Sequence, residues 1–241
     1  MQQKTKGIVL RTIKYGDSAL IVNVLTRDLG HITLYTSAPR SRKRTQGAAL
    51  WAPLSLIEFD IDIRTTNKMP RPKDTRIYYN YSTLYTNPVK SAIALFIEEF
   101  LYNATKGEND NSNLFYYIEH SMQWLDTTNR SFANFHIVLM IKVAQFLGIY
   151  PNIEEHSALQ YFDLISGCYT HGQPQHSHFL KPAEASLLPL IFRMNYSNMH
   201  RFRLTRQQRV RCIEVLAEYY RIHVPSFPEL KSIEVLQELF D

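Results

Sequence analysis

Ile57-Glu58-Phe59-Asp60-Ile61-Asp62-Ile63-Arg64 alternates apolar and charged side chains at every step. A period of two sends one set into a core and the other into water, the pattern of a half-buried β-strand. Toward the N-terminus, Gly7–Tyr15 and Ala19–Thr26 are rich in Ile, Val and Leu and are parted by the turn signal Tyr15-Gly16-Asp17-Ser18. Arg27-Asp28-Leu29-Gly30 then separates the second of these from His31–Thr36, and Arg76–Tyr81 supplies material for a fifth strand. Short strands in hairpin order within residues 1–82 bury their edges best by closing on themselves. The expected architecture there is a five-stranded OB-fold β-barrel.

Between the third and fourth strands stands Pro39-Arg40-Ser41-Arg42-Lys43-Arg44-Thr45-Gln46-Gly47, a basic loop with no acid beside it. Residues 64–76 add Arg64, Lys68, Arg71, Lys73 and Arg76 against Asp74 alone. Net charge is only +5, yet residues 1–86 hold 14 Lys and Arg against 6 Asp and Glu, whereas residues 87–241 hold 13 against 16. A net positive region of this kind concentrates anionic ligands and speeds their arrival, so nucleic acid is the expected partner. A solvated charge run is the plainer alternative. Tyr15, Tyr35, Trp51, Tyr78 and Tyr79 are interleaved with the cations. Single-strand binders use rings in this way for base stacking, although at least half of these are expected to pack inward.

From residue 83 the period changes. Asn87-Pro88 is an N-cap followed by proline at the first helical position, and Ala92, Ile93, Phe96, Ile97, Phe100 and Leu101 recur at helical spacing up to Lys106-Gly107. Leu114, Phe115, Ile118, Met122 and Leu125 mark a second helix, and Ser131 caps a third that Gly148 ends. Pro182 opens a fourth, running to about Met194, and Thr205-Arg206-Gln207-Gln208 is a capping box before a fifth. The chain is therefore expected to be α+β and multidomain: an OB-fold nucleic-acid-binding domain over 1–82, then an α-helical bundle domain over 83–241 with an irregular loop at about 152–181.

Two features of the second region bear on chemistry. Residues 193–211 carry six arginines and no acid, so Arg203 and Arg206 either extend an anion-binding footprint or pair with acids elsewhere in the fold. Cys168, His171, His176 and His178 are metal-capable side chains in an irregular stretch. They read either as a structural zinc site or as loop residues without metal, since a closed site calls for converging ligand pairs and this cluster holds one thiol. Cys168 and Cys212 are too few for a disulfide framework and suit a reducing compartment. Met1-Gln2-Gln3-Lys4-Thr5-Lys6 lacks the apolar core of a signal peptide, and a cytoplasmic location is expected.

Gly7-Ile8-Val9-Leu10-Arg11, Tyr15-Gly16-Asp17-Ser18, Thr26 with Gly30, the basic run Arg40–Arg44 and Leu50-Trp51-Ala52-Pro53-Leu54 follow one another in the order and spacing of the RecO family of bacterial recombination mediators. Tyr219-Tyr220, His223 and Leu230-Lys231-Ser232 extend the resemblance to essentially the whole chain. It implies an OB domain joined to a helical domain. It also implies binding of single- and double-stranded DNA, annealing of complementary strands, and, with the partner RecR, help for RecA in replacing the single-strand-binding protein SSB, whose acidic, apolar C-terminal tail docks on the helical domain. A nucleoid-associated protein follows from that reading. Some members carry a four-cysteine zinc site, but around Phe162-Asp163-Leu164 and Gly167-Cys168 this sequence has one cysteine, and no metal or other cofactor is expected.

The candidate DNA contacts are Arg11, Arg40, Arg42, Lys43, Arg44, Arg64, Lys68, Arg71, Lys73, Arg203 and Arg206. No phosphate-cradling glycine loop, H-E-x-x-H or G-x-S-x-G is present, so a non-enzymatic mediator is expected. An RNA-binding OB-fold adaptor uses the same physics and stays open, because 2′-hydroxyl contacts leave no motif. A metal-dependent nuclease built on the Cys168–His178 cluster is the remaining alternative.

Overall fold

A computed structural model describes residues 2–38, 48–62, 69–109, 111–129, 132–154 and 160–239, with backbone alone for 237–239. Their contacts group into two compact units, Met1–Thr128 with Glu234–Leu239, and Asn129–Ile233.

In the first unit, β1 (Gln2–Tyr15), β2 (Ala19–Thr26), β3 (Gly30–Ser37), β4 (Leu56–Asp62) and β5 (Lys73–Tyr79) form an antiparallel sheet in the order β3-β2-β1-β4-β5. β1 begins well before Gly7, at a polar segment whose composition gives no strand signal, because Gln2–Ile8 pairs with β4 while Gly7–Tyr15 pairs with β2. A register break between Val9 and Arg11 marks the changeover. The alternation in β4 is as expected: Ile57, Phe59 and Ile61 are buried and Glu58 and Asp60 are not. With Val9, Leu20, Val22, Val24, Leu34 and Trp51 they make the core on one face.

The sheet is OB-like but does not close into a barrel. β3 and β5 are the two ends of the strand order and are not paired with each other among the described residues. Pro70 and Pro72 precede β5, and a residue without an N–H cannot extend a ladder at that seam. Tyr35 N–H donates to Pro70 O at 3.0 Å instead. Gly30 starts β3 at φ +66°, and a Cβ there would lie 2.2 Å from Glu108 O. Only glycine allows residue 108 to accept, as it does, from His31 N–H at 3.0 Å.

Helices α1 (Pro88–Ala104) and α2 (Ser112–Thr127) pack on β1 and β2 respectively. Asn87 caps α1 as its sequence predicts, accepting from Val89 and Lys90 N–H. A buried polar clamp secures the segment between sheet and helices. The Asp126 carboxylate accepts the N–H groups of Ser82 (3.0 Å), Thr83 (2.7 Å) and Leu84 (2.8 Å), with Tyr79 Oη at 3.2 Å. Lys90 Nζ donates to Thr83 Oγ1 (2.7 Å), Asp126 O (2.8 Å) and Thr128 O (2.9 Å). Asp126 and Lys90 are 1% and 2% exposed, a depth at which polar groups are stable only when satisfied.

The second unit holds α3 (Phe135–Phe146), β6 (Tyr161–Asp163), β7 (Cys168–Thr170), β8 (Phe179–Leu180), α4 (Pro182–Ala185), α5 (Leu188–Phe192) and α6 (Arg206–His223), and α7 (Ser232–Leu239) follows. The predicted cap of α3, Ser131, lies outside the described residues, and Asn134 precedes the helix. Two expectations are corrected. The single helix over 182–194 is two short ones, because Pro189 has no N–H to give Ala185 and the helix must restart around it. The stretch 152–181 is not irregular throughout but carries a sheet in the order β7-β6-β8. Strands of two or three residues are too short to show a period, though Asp163-Leu164-Ile165-Ser166-Gly167 was a readable turn: Asp163 Oδ1 accepts Ile165 N–H at 2.8 Å and Gly167 has φ +66°. The capping box of α6 forms as predicted, with Gln208 N–H donating to Thr205 Oγ1 at 3.2 Å and Thr205 N–H to Gln208 Oε1 at 2.8 Å.

Candidate nucleic-acid interface

The register across β1, β2 and β3 aligns Arg11 with Asn23 and Thr33, Ile13 with Ile21 and Tyr35, and Tyr15 with Ala19 and Ser37. These rows lie on the face opposite the core, because Thr12 pairs with Val22, which is in the core. Ile13 is 41% and Tyr15 60% exposed. The rings of Tyr15 and Tyr35 meet edge to face with centroids 6.3 Å apart, and the Arg71 guanidinium lies 5.0 Å from the Tyr35 centroid.

At the other end of the same rows, Arg11 sits 5.1 Å from the Tyr102 centroid, and Lys106 Nζ is 4.7 Å from that ring. Burial pushes the Glu98 carboxyl up to about 7, while Arg11 draws it back down. At neutral pH Glu98 is thus only partly ionised, and the positive charge of Arg11 is incompletely cancelled. Lys106 and Tyr102 are additions to the predicted set. The signal for Lys106 was its place just past the C-terminal end of α1, where cations are favoured.

The other predicted contacts divide. Lys73 is exposed and paired in register with Asp60. Arg40, Arg42, Lys43, Arg44, Arg64 and Lys68 lie outside the described residues. Arg76 and Lys4 are held by Glu58. Of the five interleaved rings, Trp51 is in the core, Tyr78 Oη donates to Glu119 at 2.5 Å and Tyr79 Oη to Asp126. Tyr15 and Tyr35 remain on the outer face.

In the second unit, a groove of about 900 Å³ runs between α5, α6 and the residues joining them. Leu188, Ile191, Phe202 and Leu216 supply apolar walls, with Leu187 and Leu190 exposed at its edge. Arg193, Arg201 and Arg203 line it as well. The lining acid, Glu184, is engaged by Arg211 through two hydrogen bonds of 2.7 and 3.1 Å. The arginine run therefore resolves both ways: Arg211 is paired, whereas Arg203 faces the groove. Arg206 opens α6 and is half-buried. Cys212, also in the lining, has its thiol pushed up to about 11 by burial.

Two of the three histidines of the 168–178 stretch, His176 and His178, lie beside acids, and His171 is exposed. His178 Nδ1 lies 2.7 Å from Glu218 Oε1 and His176 Nε2 lies 3.4 Å from Asp163 Oδ1. No three His, Cys, Asp or Glu side chains among the described residues are grouped to hold a metal.

The sequence matches two family models, Recombination protein O N terminal over residues 1–81 and Recombination protein O C terminal over residues 85–232. The chain belongs to the RecO family. Proteins named DNA repair protein RecO from Phocaeicola vulgatus and Bacteroides fragilis are 46% and 45% identical to it over 240 and 242 residues, covering 100% of both chains in each case. One of the same name from Flavobacterium psychrophilum is 30% identical over 244 residues, again covering 100% of both. The RecO family is one of DNA repair and recombination mediators, which makes the exposed face of β1–β3 and the arginine-lined groove the two surfaces of interest. Among the described residues of this RecO family member no helix is long and apolar enough to cross a membrane.

Proposed function

We propose that this protein binds single- and double-stranded DNA through the outer face of β1–β3 and the basic stretches flanking it, and anneals complementary strands. With RecR it helps RecA replace SSB, working in the cytoplasm at the nucleoid as a binding protein and not as an enzyme. The observation that carries this reading is the placement of Arg11 and Arg71 along one exposed sheet face, in the part of the chain that holds all of its net positive charge, with Lys106 beside Arg11 at the Tyr102 ring. Cations placed so displace counterions condensed on phosphates, a sequence-independent gain that suits a mediator acting on any DNA.

Arg40, Arg42, Lys43, Arg44, Arg64, Lys68 and Lys73 extend the phosphate footprint from Arg11 and Arg71. The groove of the second unit suits the SSB tail: apolar walls take its apolar side chains, and Arg193, Arg201 and Arg203 take its carboxylates. Arg203 is thereby reassigned from phosphate to carboxylate, and Arg206 stays with the DNA set.

The test replaces Arg40, Arg42, Lys43 and Arg44 together with Ala and measures single-strand affinity against salt. Each phosphate contact contributes about 0.7 to the slope of log affinity against log salt, so the slope should flatten by roughly 2 to 3. An unchanged slope removes the loop from the interface. Annealing of SSB-coated complementary strands, with and without the protein, tests the wider role. No acceleration there refutes the mediator reading.

A further inference from the structure

We infer that Tyr15 and Tyr35, with Arg71 beside them, form a stacking site for an unpaired base of a single strand. The inference rests on the proposal that this face binds DNA, and adds what the face reads there: a base, in addition to the phosphates.

Four tyrosines on β5 and in the segment after it have their hydroxyls tied down. Tyr78 donates to Glu119, Tyr79 to Asp126, Tyr81 to Leu54 O at 2.9 Å and Tyr85 to Pro53 O at 2.6 Å. Neither Tyr15 nor Tyr35 has such a partner among the described residues, and Tyr15 is 60% exposed. Fixing an aromatic ring in water at the end of a strand gains little for the fold, since its apolar area stays unburied.

The geometry is that of an open stack. An interplanar angle of 76° means that Tyr15 meets Tyr35 by an edge, so the two rings do not cover one another face to face. Arg71 sits at cation–π distance from Tyr35, and a guanidinium can lie flat on a base while still reaching its phosphate. Ile13 in the same row and Met69 beside Pro70 are 41% and 51% exposed and extend the apolar surface. Both rings stand on strands held by ladder pairing, Tyr15 opposite Ala19 and Tyr35 opposite Ile21, so the site is positioned before the ligand arrives. In a duplex every base face is covered by its neighbours, and such a site has nothing to take. Bases of a single strand are free to occupy it, which would hold them splayed for pairing with a second strand.

The experiment compares wild type, Tyr15→Ala, Tyr35→Leu and Tyr15→Phe for binding to oligo-dT, to an abasic strand of equal length and to a duplex of equal length. Emission of Trp51 and Trp124 serves as the folding control. A stacked ring typically changes affinity by about tenfold or more per base. We expect that loss for Tyr15→Ala and Tyr35→Leu on oligo-dT, unchanged binding to the abasic strand and the duplex, and retention by Tyr15→Phe. Equal losses on all three ligands, or none on oligo-dT, overturn the stacking site and leave the DNA-binding proposal standing. If the wild type binds none of the three ligands, the DNA-binding proposal itself fails, and the stacking site with it.

Discussion

Replacing Asp126 tests how the first unit is held together. In Asp126→Ala the N–H groups of Ser82, Thr83 and Leu84 lose their acceptor, and Lys90 is left buried without its nearby negative charge. An orphaned buried donor costs about 1 to 3 kcal/mol and an uncompensated buried charge a few more, so a total of about 4 to 5 kcal/mol is expected after relaxation and water entry. Asp126→Asn keeps the volume and one carbonyl oxygen for the backbone N–H groups, while its NH2 can face the hydroxyls of Ser82 and Tyr79, which accept as readily as they donate. It forfeits charge assistance and should lose only about 1 to 2 kcal/mol. Both tryptophans, Trp51 and Trp124, belong to the first unit, so urea unfolding followed by tryptophan emission reads that unit selectively. Burial alone would raise the Asp126 carboxyl, but the N–H groups of Ser82, Thr83 and Leu84 bring it below its ordinary value. The stability this provides is present above about pH 4 and is lost as pH falls through the lowered folded value, so the gap between wild type and Asp126→Asn should narrow below about pH 4. A loss under about 1 kcal/mol for Asp126→Ala, or equal losses for the two variants, would refute the clamp.

Three further outcomes are expected. The raised Glu98 makes the folded state hold a proton that the unfolded chain has released, so stability falls as pH rises from about 4.5 to 7. Glu98→Gln should therefore stabilise by on the order of 1 kcal/mol at pH 8 and do nothing at pH 4, in urea titrations at the two pH values. Gly30→Ala should destabilise by about 2 kcal/mol or more, since it adds a collision with Glu108 O to a left-handed backbone, while Gly16→Ala, at φ +63° with open space around it, should lose only about 1 kcal/mol in the same assay. Tyr220→Phe removes a fully buried hydroxyl donating to Met140 O at 2.8 Å, and amide exchange along α3 and α6 should quicken in step with a loss of about 1 to 2 kcal/mol.

Strand and helix identity was legible where a period ran long enough to declare itself, as in Ile57–Ile61 and Ala92–Leu101. The first residues of β1 were not, because Gln2-Gln3-Lys4 is a strand only by virtue of the partner that β4 supplies. Nor was the absence of closure, which depends on which edges meet and where Pro70 and Pro72 fall. For the candidate site, charge was readable and direction was not. Five rings stood among the cations, and what sorted them was an acid far along the chain: Glu119 claims Tyr78 and Asp126 claims Tyr79, both from α2. The groove shows the same limit. The expected single helix from Pro182 to about Met194 is divided at Pro189, and Leu187 and Leu190 are left exposed at the edge of the groove.

The reach of the Asp126 clamp has a consequence for how this protein is made. The segment it secures, Ser82–Leu84, is synthesised some time before residue 126, as is Tyr78 before Glu119 and Gly30 before the Glu108 carbonyl that rests against it. A nascent chain stopped at residue 82 would have all five strands and none of these partners, with the helix-facing side of β1 bare. The sheet-bearing unit therefore gains these partners on the ribosome only after α2 has emerged and is complete only once Glu234–Leu239 has been made, so a fragment that ends where the two family matches meet leaves the sheet without them.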